Sequence, residues 1–200
     1  MRRFLIAVVT TLAVLGAQAQ TEKPVEVAGV KFETVETVGG QKLQLNGAGI
    51  RYKAIFKVYA AGLYLSAKTN TVEGVLAATG PKRLHIVALR DIDGNDLGKM
   101  FTKGIESNAS RDEFIKSING VLKISEMFAT RKELKKGESF TVDFIPGTGT
   151  FVSVNGTVQG DPIKEPEFYG AFLHIWLGKN PPDAQLKDKL AGISPQRSNN

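Results

Sequence analysis

Arg51 is the side chain in this sequence best suited to bind an anion, because its neighbours are apolar and aromatic. It follows the glycine-containing segment 46–49 and precedes a run that includes Tyr59 and Tyr64. A guanidinium keeps its proton and presents a planar fork that matches carboxylate and enolate-like oxygens. In an apolar pocket it would hold the acidic head of an otherwise apolar molecule. The equally weighted alternative is a structural arginine that caps the turn at Gly49 or pairs with an acidic side chain.

The sequence signatures of several enzyme classes are absent. The chain contains no GxxxxGK[ST] loop, no GxSxG elbow, no HExxH pattern and no cysteine. His85 lies in an apolar stretch and His174 in a predicted helix, and neither has the spacing to other ligand types that a metal site needs. We therefore interpret both histidines as structural and expect no metal and no cofactor. This leaves open whether the protein is an enzyme.

The stretch 45–65 is predicted to be the central strand region that positions Arg51. It begins with the turn signal Asn46-Gly47 and continues with β-forming residues on both sides of Arg51. Gly62 interrupts that run without a side chain. A glycine in a strand indicates either a β-bulge or the close approach of another group.

The rest of the chain alternates between groups of strands and groups of helices, without a strict strand–helix–strand repeat. Residues 21–27 are mostly polar and are predicted to be a loose leader. This layout predicts an α+β fold with a large antiparallel sheet and helices packed on one face. Strands are predicted at 30–34, 35–38, 41–45, 83–89, 139–145, 151–154 and 157–159, and helices at 71–78, 94–107, 110–122, 167–177 and 183–190. Apolar and polar residues alternate through 139–145, and Gly39-Gly40 is predicted to be a tight hairpin turn. Thr71 and Asp93 are predicted N-caps, and the segment from Ser110 to Glu113 fits a capping box.

The first residues have the pattern of a secretory signal peptide. Arg2 and Arg3 precede a nearly continuous apolar run at 4–15, and Ala17-Gln18-Ala19 is a small-x-small cleavage site. The run is shorter than the roughly 20 apolar residues of a membrane span, so no stable membrane anchor is expected after cleavage. We predict cleavage after Ala19, export to the periplasm and a single domain over residues 20–200.

The composition of the exported part argues against a nucleic-acid-binding protein. Loss of two arginines leaves 24 basic against 20 acidic residues, a net charge of +4. The basic residues are scattered, with one short cluster at 131–136. A nucleic-acid interface normally needs a concentrated basic patch. We therefore expect no nucleic-acid partner.

Two segments carry a resemblance to a known family. Gly47-Ala48-Gly49-Ile50-Arg51, with the strand at 56–65 that ends in Gly62-Leu63-Tyr64-Leu65, resembles the chalcone isomerase superfamily, and most closely its secreted bacterial branch. The segment 172–178, followed by Pro181 and Leu186-Lys187, is similar to the family's C-terminal helical block. The resemblance extends over nearly the whole exported chain. It implies an open-faced β-sandwich, in which a large antiparallel sheet and a helical layer on one face enclose a ligand cleft.

The resemblance also implies roles for individual residues. In plant chalcone isomerases the arginine stabilises the negative charge of the reacting substrate. A threonine, a tyrosine, an asparagine and a further Ser/Thr orient substrate and water. Here the arginine is kept as Arg51 and the asparagine as Asn108. The other three positions correspond to Tyr59, Phe101 and Ile175. Because most of the orienting groups are replaced, flavanone formation is not expected.

Our leading hypothesis is non-catalytic binding of a small apolar, acidic ligand such as a fatty acid, by a periplasmic monomer. Fatty-acid-binding members of the superfamily hold a carboxylate with the arginine and a tyrosine. By this resemblance Arg51 would bind the head group, with Tyr59 or Tyr64 as a second donor and Asn108 as a further ligand-binding residue.

Two rival hypotheses belong to other functional classes. In the first, the protein is an isomerase or intramolecular lyase that acts on an unidentified substrate other than chalcone, with Tyr59 as proton donor. In the second, it is a partner-binding envelope protein whose cleft is filled by its own side chains. Phe and Leu side chains packed against Arg51 would favour the second rival, and an open cleft would exclude it.

Overall fold

The structure is a computed structural model that describes residues 23–194. The predicted signal peptide at residues 1–19 and its cleavage point after Ala19 lie outside the described residues. The strands are β1 Val25–Val27, β2 Val30–Phe32, β3 Val35–Val38, β4 Gln41–Lys53, β5 Phe56–Leu65, β6 Lys82–Ala88, β7 Ile92–Asp93, β8 Glu133–Leu134, β9 Ser139–Ile145, β10 Gly149–Val154 and β11 Thr157–Val158. The helices are α1 Val72–Ala77, α2 Gly94–Asn108, α3 Arg111–Lys116, α4 Ile118–Thr130, α5 Phe168–Leu177 and α6 Ala184–Leu190.

A curled sheet of seven antiparallel strands forms the frame of the molecule. Its order is β11-β10-β9-β6-β5-β4-β3. Side chains from one face of β5, β6, β9 and β10 pack with those of α2, α4, α5 and α6 in the main hydrophobic core. The predicted α+β fold, with an antiparallel sheet and a helical layer on one face, is confirmed. The opposite face carries a second, smaller core around Phe32, Leu43 and Tyr64.

Local sequence signals placed several element ends correctly. Thr71 and Asp93 accept hydrogen bonds from the first turns of α1 and α2, as N-caps do. Ser110 and Glu113 form the predicted capping box. The helix predicted beyond it is divided at Ser117 into α3 and α4. The predicted loose leader is wrong in part, because β1 pairs with β2 in a hairpin.

The turn predicted at Asn46-Gly47 is also wrong, because both residues lie inside β4. A β-bulge separates Leu45 from Gly47, and the Asn46 side chain accepts a 2.8 Å hydrogen bond from the Thr69 backbone and donates one of 2.8 Å to the Leu190 carbonyl. The asparagine therefore joins β4 to the loop before α1 and to the end of α6.

The close approach predicted for Gly62 is confirmed. A Cβ added there would lie 2.7 Å from a ring carbon of Phe32, on the face opposite the helices. The β-bulges occur in the neighbouring strand β4 instead, between Leu45 and Gly47 and between Arg51 and Tyr52. Gly62 thus admits the aromatic ring that anchors the β1–β2 hairpin.

Glycine at position 47 is required by the packing of α6 on β4. A Cβ at Gly47 would lie 1.8 Å from the Lys189 carbonyl oxygen, so the α6 backbone would have to move. At Gly49 the nearest neighbours are side-chain atoms of Lys189 and Leu186, at 3.0 and 3.1 Å. The glycines before Arg51 therefore let a helix lie directly on the strand.

We predict that Gly47→Ala destabilises the protein by about 3 kcal/mol, because overpacking here displaces backbone rather than a flexible side chain. The matched control is Gly170→Ala in α5, where an added Cβ meets nothing within 4 Å. It should stabilise the helix by up to about 1 kcal/mol. Urea unfolding of both variants checks this, and equal stabilities would contradict the packing argument.

Candidate functional site

Arg51 lines a cleft at the end of the sheet, between β4, β5 and the first half of α2. The cleft has a volume of about 860 Å³. Most of its charged lining residues are exposed, so the cleft opens to solvent. It is lined by Arg51, Lys53, Val58, Tyr59, Arg90, Asp91, Ile92, Asp93, Asp96, Leu97, Lys99, Met100 and Lys103.

Within residues 23–194 the Arg51 guanidinium is supported by an aromatic ring and has no polar partner. Arg51 pairs with Tyr59 across the strands, and its guanidinium carbon lies 5.8 Å from the centroid of the Tyr59 ring. This is a cation–π arrangement. The Nε atom is buried, and within residues 23–194 it has no hydrogen-bond partner. In that part of the chain Arg51 forms no ion pair either, so neither structural role considered for this arginine is observed.

Tyr59 is a core residue whose hydroxyl is directed away from the cleft opening. Its side chain is 1% exposed, and its hydroxyl accepts a 2.7 Å hydrogen bond from the indole N–H of Trp176. Burial raises the pKa of Tyr59 to about 12, against a smaller lowering by the Arg51 charge. The phenol is therefore neutral at physiological pH, and its ring supports the guanidinium.

The space behind Tyr59 is filled by aromatic side chains. Ring centroids in this cluster are 5.0–6.3 Å apart, mostly in edge-to-face or tilted contacts. Its members are Phe101, Phe128, Phe140, Phe172 and Trp176. The layer between sheet and helices is thus packed, while the cleft in front of Tyr59 is open. The hypothesis of a cleft filled by its own side chains fits the interior but does not fit the surroundings of Arg51.

The side chain of Asn108, at the end of α2, is hydrogen-bonded to backbone groups. Its side-chain amide donates to the carbonyls of Gly104 and Asn180, at 2.9 and 3.1 Å, and its oxygen accepts from the Asn180 backbone at 2.6 Å. It lines a smaller depression of about 290 Å³. That depression shares Met100 and Lys103 with the Arg51 cleft. Asn108 therefore borders the neighbouring depression, and its polar atoms hold the loop after α5.

Tyr64 is not brought to the cleft. Five positions separate it from Tyr59 on β5, and side chains an odd number of positions apart on a strand point to opposite faces. It lies fully buried in the smaller core. Burial, together with the negative Glu36, raises its pKa. Tyr64 had been predicted as a possible second donor to the head group. The strand register instead places its side chain in the core on the opposite face of the sheet.

The charged residues around Arg51 were not predicted from the sequence. The cleft lining contains five basic and three acidic side chains. Lys99 and Lys103 are four apart on α2, a spacing that places two side chains on one helix face and could have indicated them. Two of the acids accept backbone hydrogen bonds: Asp93 caps α2, and Asp91 accepts from the Lys136 N–H at 2.7 Å. With five basic and three acidic side chains, the lining carries a formal net charge of +2.

Residues 23–194 contain no group of three or more His, Cys, Asp or Glu side chains arranged to hold a metal ion. No helix in the same range has the length and apolarity to cross a bilayer.

Comparison with known proteins gives a family and a fold. The sequence model of a family described as chalcone isomerase-like matches residues 24–192. Among solved structures, a fatty-acid binding protein of Arabidopsis thaliana superposes with a TM-score of 0.62 at 14% sequence identity, covering 82% of this chain and 92% of that one. At this identity the superposition establishes the fold alone. No curated protein matches the sequence.

We predict that Tyr59→Phe lowers stability at neutral pH by about 1–3 kcal/mol, because the buried Trp176 N–H loses its acceptor. The difference should shrink between about pH 10 and pH 12. In that range the unfolded Tyr59 ionises while the folded one does not, so the wild type loses about 1.4 kcal/mol per pH unit more than the variant, which shares every other tyrosine.

Urea unfolding at several pH values measures this, with Tyr52→Phe as the control, since Tyr52 is 37% exposed. A difference from wild type that does not change with pH would contradict the assigned environment of Tyr59.

Proposed function

This chain belongs to the chalcone isomerase-like family, and on that premise we propose that it is a non-catalytic binding protein for a small molecule with an apolar body and an acidic head group, such as a fatty acid. The observation that carries the proposal is the Arg51 guanidinium, which is part-buried and without a polar partner in residues 23–194, in a cleft of about 860 Å³.

The head-group chemistry follows from that geometry. A carboxylate accepts two parallel N–H bonds from a guanidinium, and such charge-assisted bonds are stronger than neutral ones. Because the Nε atom of Arg51 is buried from solvent, the carboxylate would accept its two N–H bonds from the terminal nitrogens of the fork. The Tyr59 ring restricts the orientation of the fork. The other basic side chains of the cleft would attract an anion from solution.

The apolar body of the ligand would lie along α2 rather than inside the protein. Leu97 and Met100 line the cleft beside Arg51, and Met100 also lines the adjoining depression near Ile175. The aromatic cluster behind Tyr59 closes the direct path into the core. We therefore place the ligand tail in the two adjoining depressions. The Arabidopsis thaliana fatty-acid binding protein, which shares this fold, supports the same ligand class.

The environment of Tyr59 argues against the isomerase alternative. A phenol with a pKa of about 12 neither gives nor takes a proton readily at neutral pH, and its oxygen already accepts from Trp176. Phe101 and Ile175 are fully buried and carry no polar group to orient substrate or water. A retained arginine with these neighbours is better suited to holding an anion than to converting it.

We also propose that the protein acts in the periplasm as a monomer. The basic and apolar pattern of residues 1–19 supports export.

Arg51→Ala is expected to weaken binding of cis-parinaric acid, a fluorescent fatty acid, by roughly 10- to 100-fold, since a charge-assisted hydrogen bond contributes about 1.5–3 kcal/mol. Arg90→Ala is the matched control, because it removes the same group from the same cleft without touching the Arg51 fork. Fluorescence titration gives both affinities, and equal losses in the two variants would refute a head-group role specific to Arg51.

A co-purified ligand provides an independent check. We expect native mass spectrometry of the protein from its producing cell to show a bound acid that is absent from the Arg51→Ala variant. A neutral adduct retained equally by both proteins would exclude carboxylate recognition.

A further inference from the structure

The tip of the β4–β5 hairpin exposes two large apolar residues next to each other. A two-residue turn, Ala54-Ile55, joins the paired residues Lys53 and Phe56. Ile55 is 84% exposed and Phe56 58% exposed. Ala54 has a φ of 53°, in the left-handed region that residues other than glycine rarely adopt. Isolated exposed apolar residues are ordinary, but an adjacent pair at a protruding tip indicates an interaction site.

Basic side chains surround this tip. Lys53 and Lys57 flank it on the two strands, and both are exposed. The Arg90 guanidinium carbon lies 5.8 Å from the centroid of the Phe56 ring. Within residues 23–194 none of these three cations takes part in an ion pair.

Four acidic residues lie near these cations, namely Asp91, Asp93, Asp96 and Asp183, which accepts from the Tyr52 N–H, but within residues 23–194 none of them forms an ion pair with Lys53, Lys57 or Arg90. Asp91 and Asp93 each accept a backbone hydrogen bond, from Lys136 and Asp96 respectively. Asp96 lies in the first turn of α2, where the helix dipole favours a negative charge. The hairpin itself, from Arg51 to Lys57, contains no acidic residue. Its tip therefore combines an apolar apex with unpaired positive charge.

We propose that this hairpin tip is a docking element for anionic lipid bilayers. Ile55 and Phe56 enter the boundary between head groups and acyl chains, while Lys53, Lys57 and Arg90 bind the lipid phosphates. Apolar residues beside Lys and Arg are the combination that holds proteins reversibly at anionic membrane surfaces. A bilayer accepts protruding side chains without a matching pocket, whereas a protein partner would need one for Ile55. The geometry therefore favours a membrane over a protein as the occupant.

Docking would bring the Arg51 cleft to the bilayer surface. Lys53 and Arg90 belong both to the tip and to the cleft lining, and Arg51 is four residues before Ile55. An acidic lipid could then pass between the membrane and the cleft over a short distance. This consequence rests on the proposed function, whereas the docking itself does not.

Co-sedimentation with vesicles tests the docking. We expect the protein to bind vesicles of phosphatidylethanolamine with phosphatidylglycerol, and to bind phosphatidylcholine vesicles much more weakly. Ile55→Ser should reduce binding about tenfold or more, because it removes a buried apolar contact with the acyl region. Lys57→Gln should reduce it about fivefold, and added salt should reduce it further.

The matched control is Ile115→Ser, which replaces an isoleucine that is 56% exposed on α3. All variants carry the same N-terminus, so any binding by that segment is common to them. Insertion is measured directly in Ile55→Trp, whose emission should shift to shorter wavelength with anionic vesicles. Absence of vesicle binding by the wild type, or equal binding by Ile55→Ser and Ile115→Ser, would overturn the proposal.

The two proposals fail in different ways. If the docking is right, Ile55→Ser loses vesicle binding but keeps its affinity for cis-parinaric acid in solution. Arg51→Ala should lose that affinity and still sediment with anionic vesicles. Loss of vesicle binding in Arg51→Ala but not in Ile55→Ser would overturn the docking assignment.

Discussion

A single buried hydrogen bond links the two layers of this protein at the point where the cleft begins. The Trp176 indole on α5 donates to the Tyr59 hydroxyl on β5, with both side chains about 1% exposed. Because an unpaired buried N–H is costly, the bond holds the phenol in the core and its ring under Arg51. The same contact closes the interior behind the cleft. Tyr59 thereby supports the guanidinium and limits how far a ligand can enter.

The position of Arg51 also depends on how closely α6 approaches β4. Gly47 allows the helix backbone into contact with the strand, and the bulge that follows Arg51 changes the alternation of side chains. Asp183 caps α6 and also accepts a 2.8 Å hydrogen bond from the Tyr52 backbone. The glycines of the motif therefore act through packing. They bring α6 against β4, the strand that carries Arg51. The N-terminal end of α6 then lies at Tyr52, next to Arg51.

The sequence was informative wherever a signal is local. N-caps, the capping box and the turn at Gly39-Gly40 depend on neighbouring residues, so they were predicted correctly. Period-two alternation identified β9, and the family motif indicated Arg51. These features also predicted an antiparallel sheet with a helical layer. Asn46-Gly47 failed because the same dipeptide that favours a turn also suits a bulged strand covered by a helix.

The sequence by itself determined the fold class, most element ends and the residue at the centre of the candidate site. Only the tertiary structure decided which side chains share a space with it. Tyr59 and Tyr64 look alike in the sequence, but strand register sends one toward Arg51 and the other to the opposite core. Asn108 matches a family position, yet its side-chain amide forms hydrogen bonds with the Asn180 backbone. Partners distant in the chain meet only when layers pack, and no local pattern contains that information.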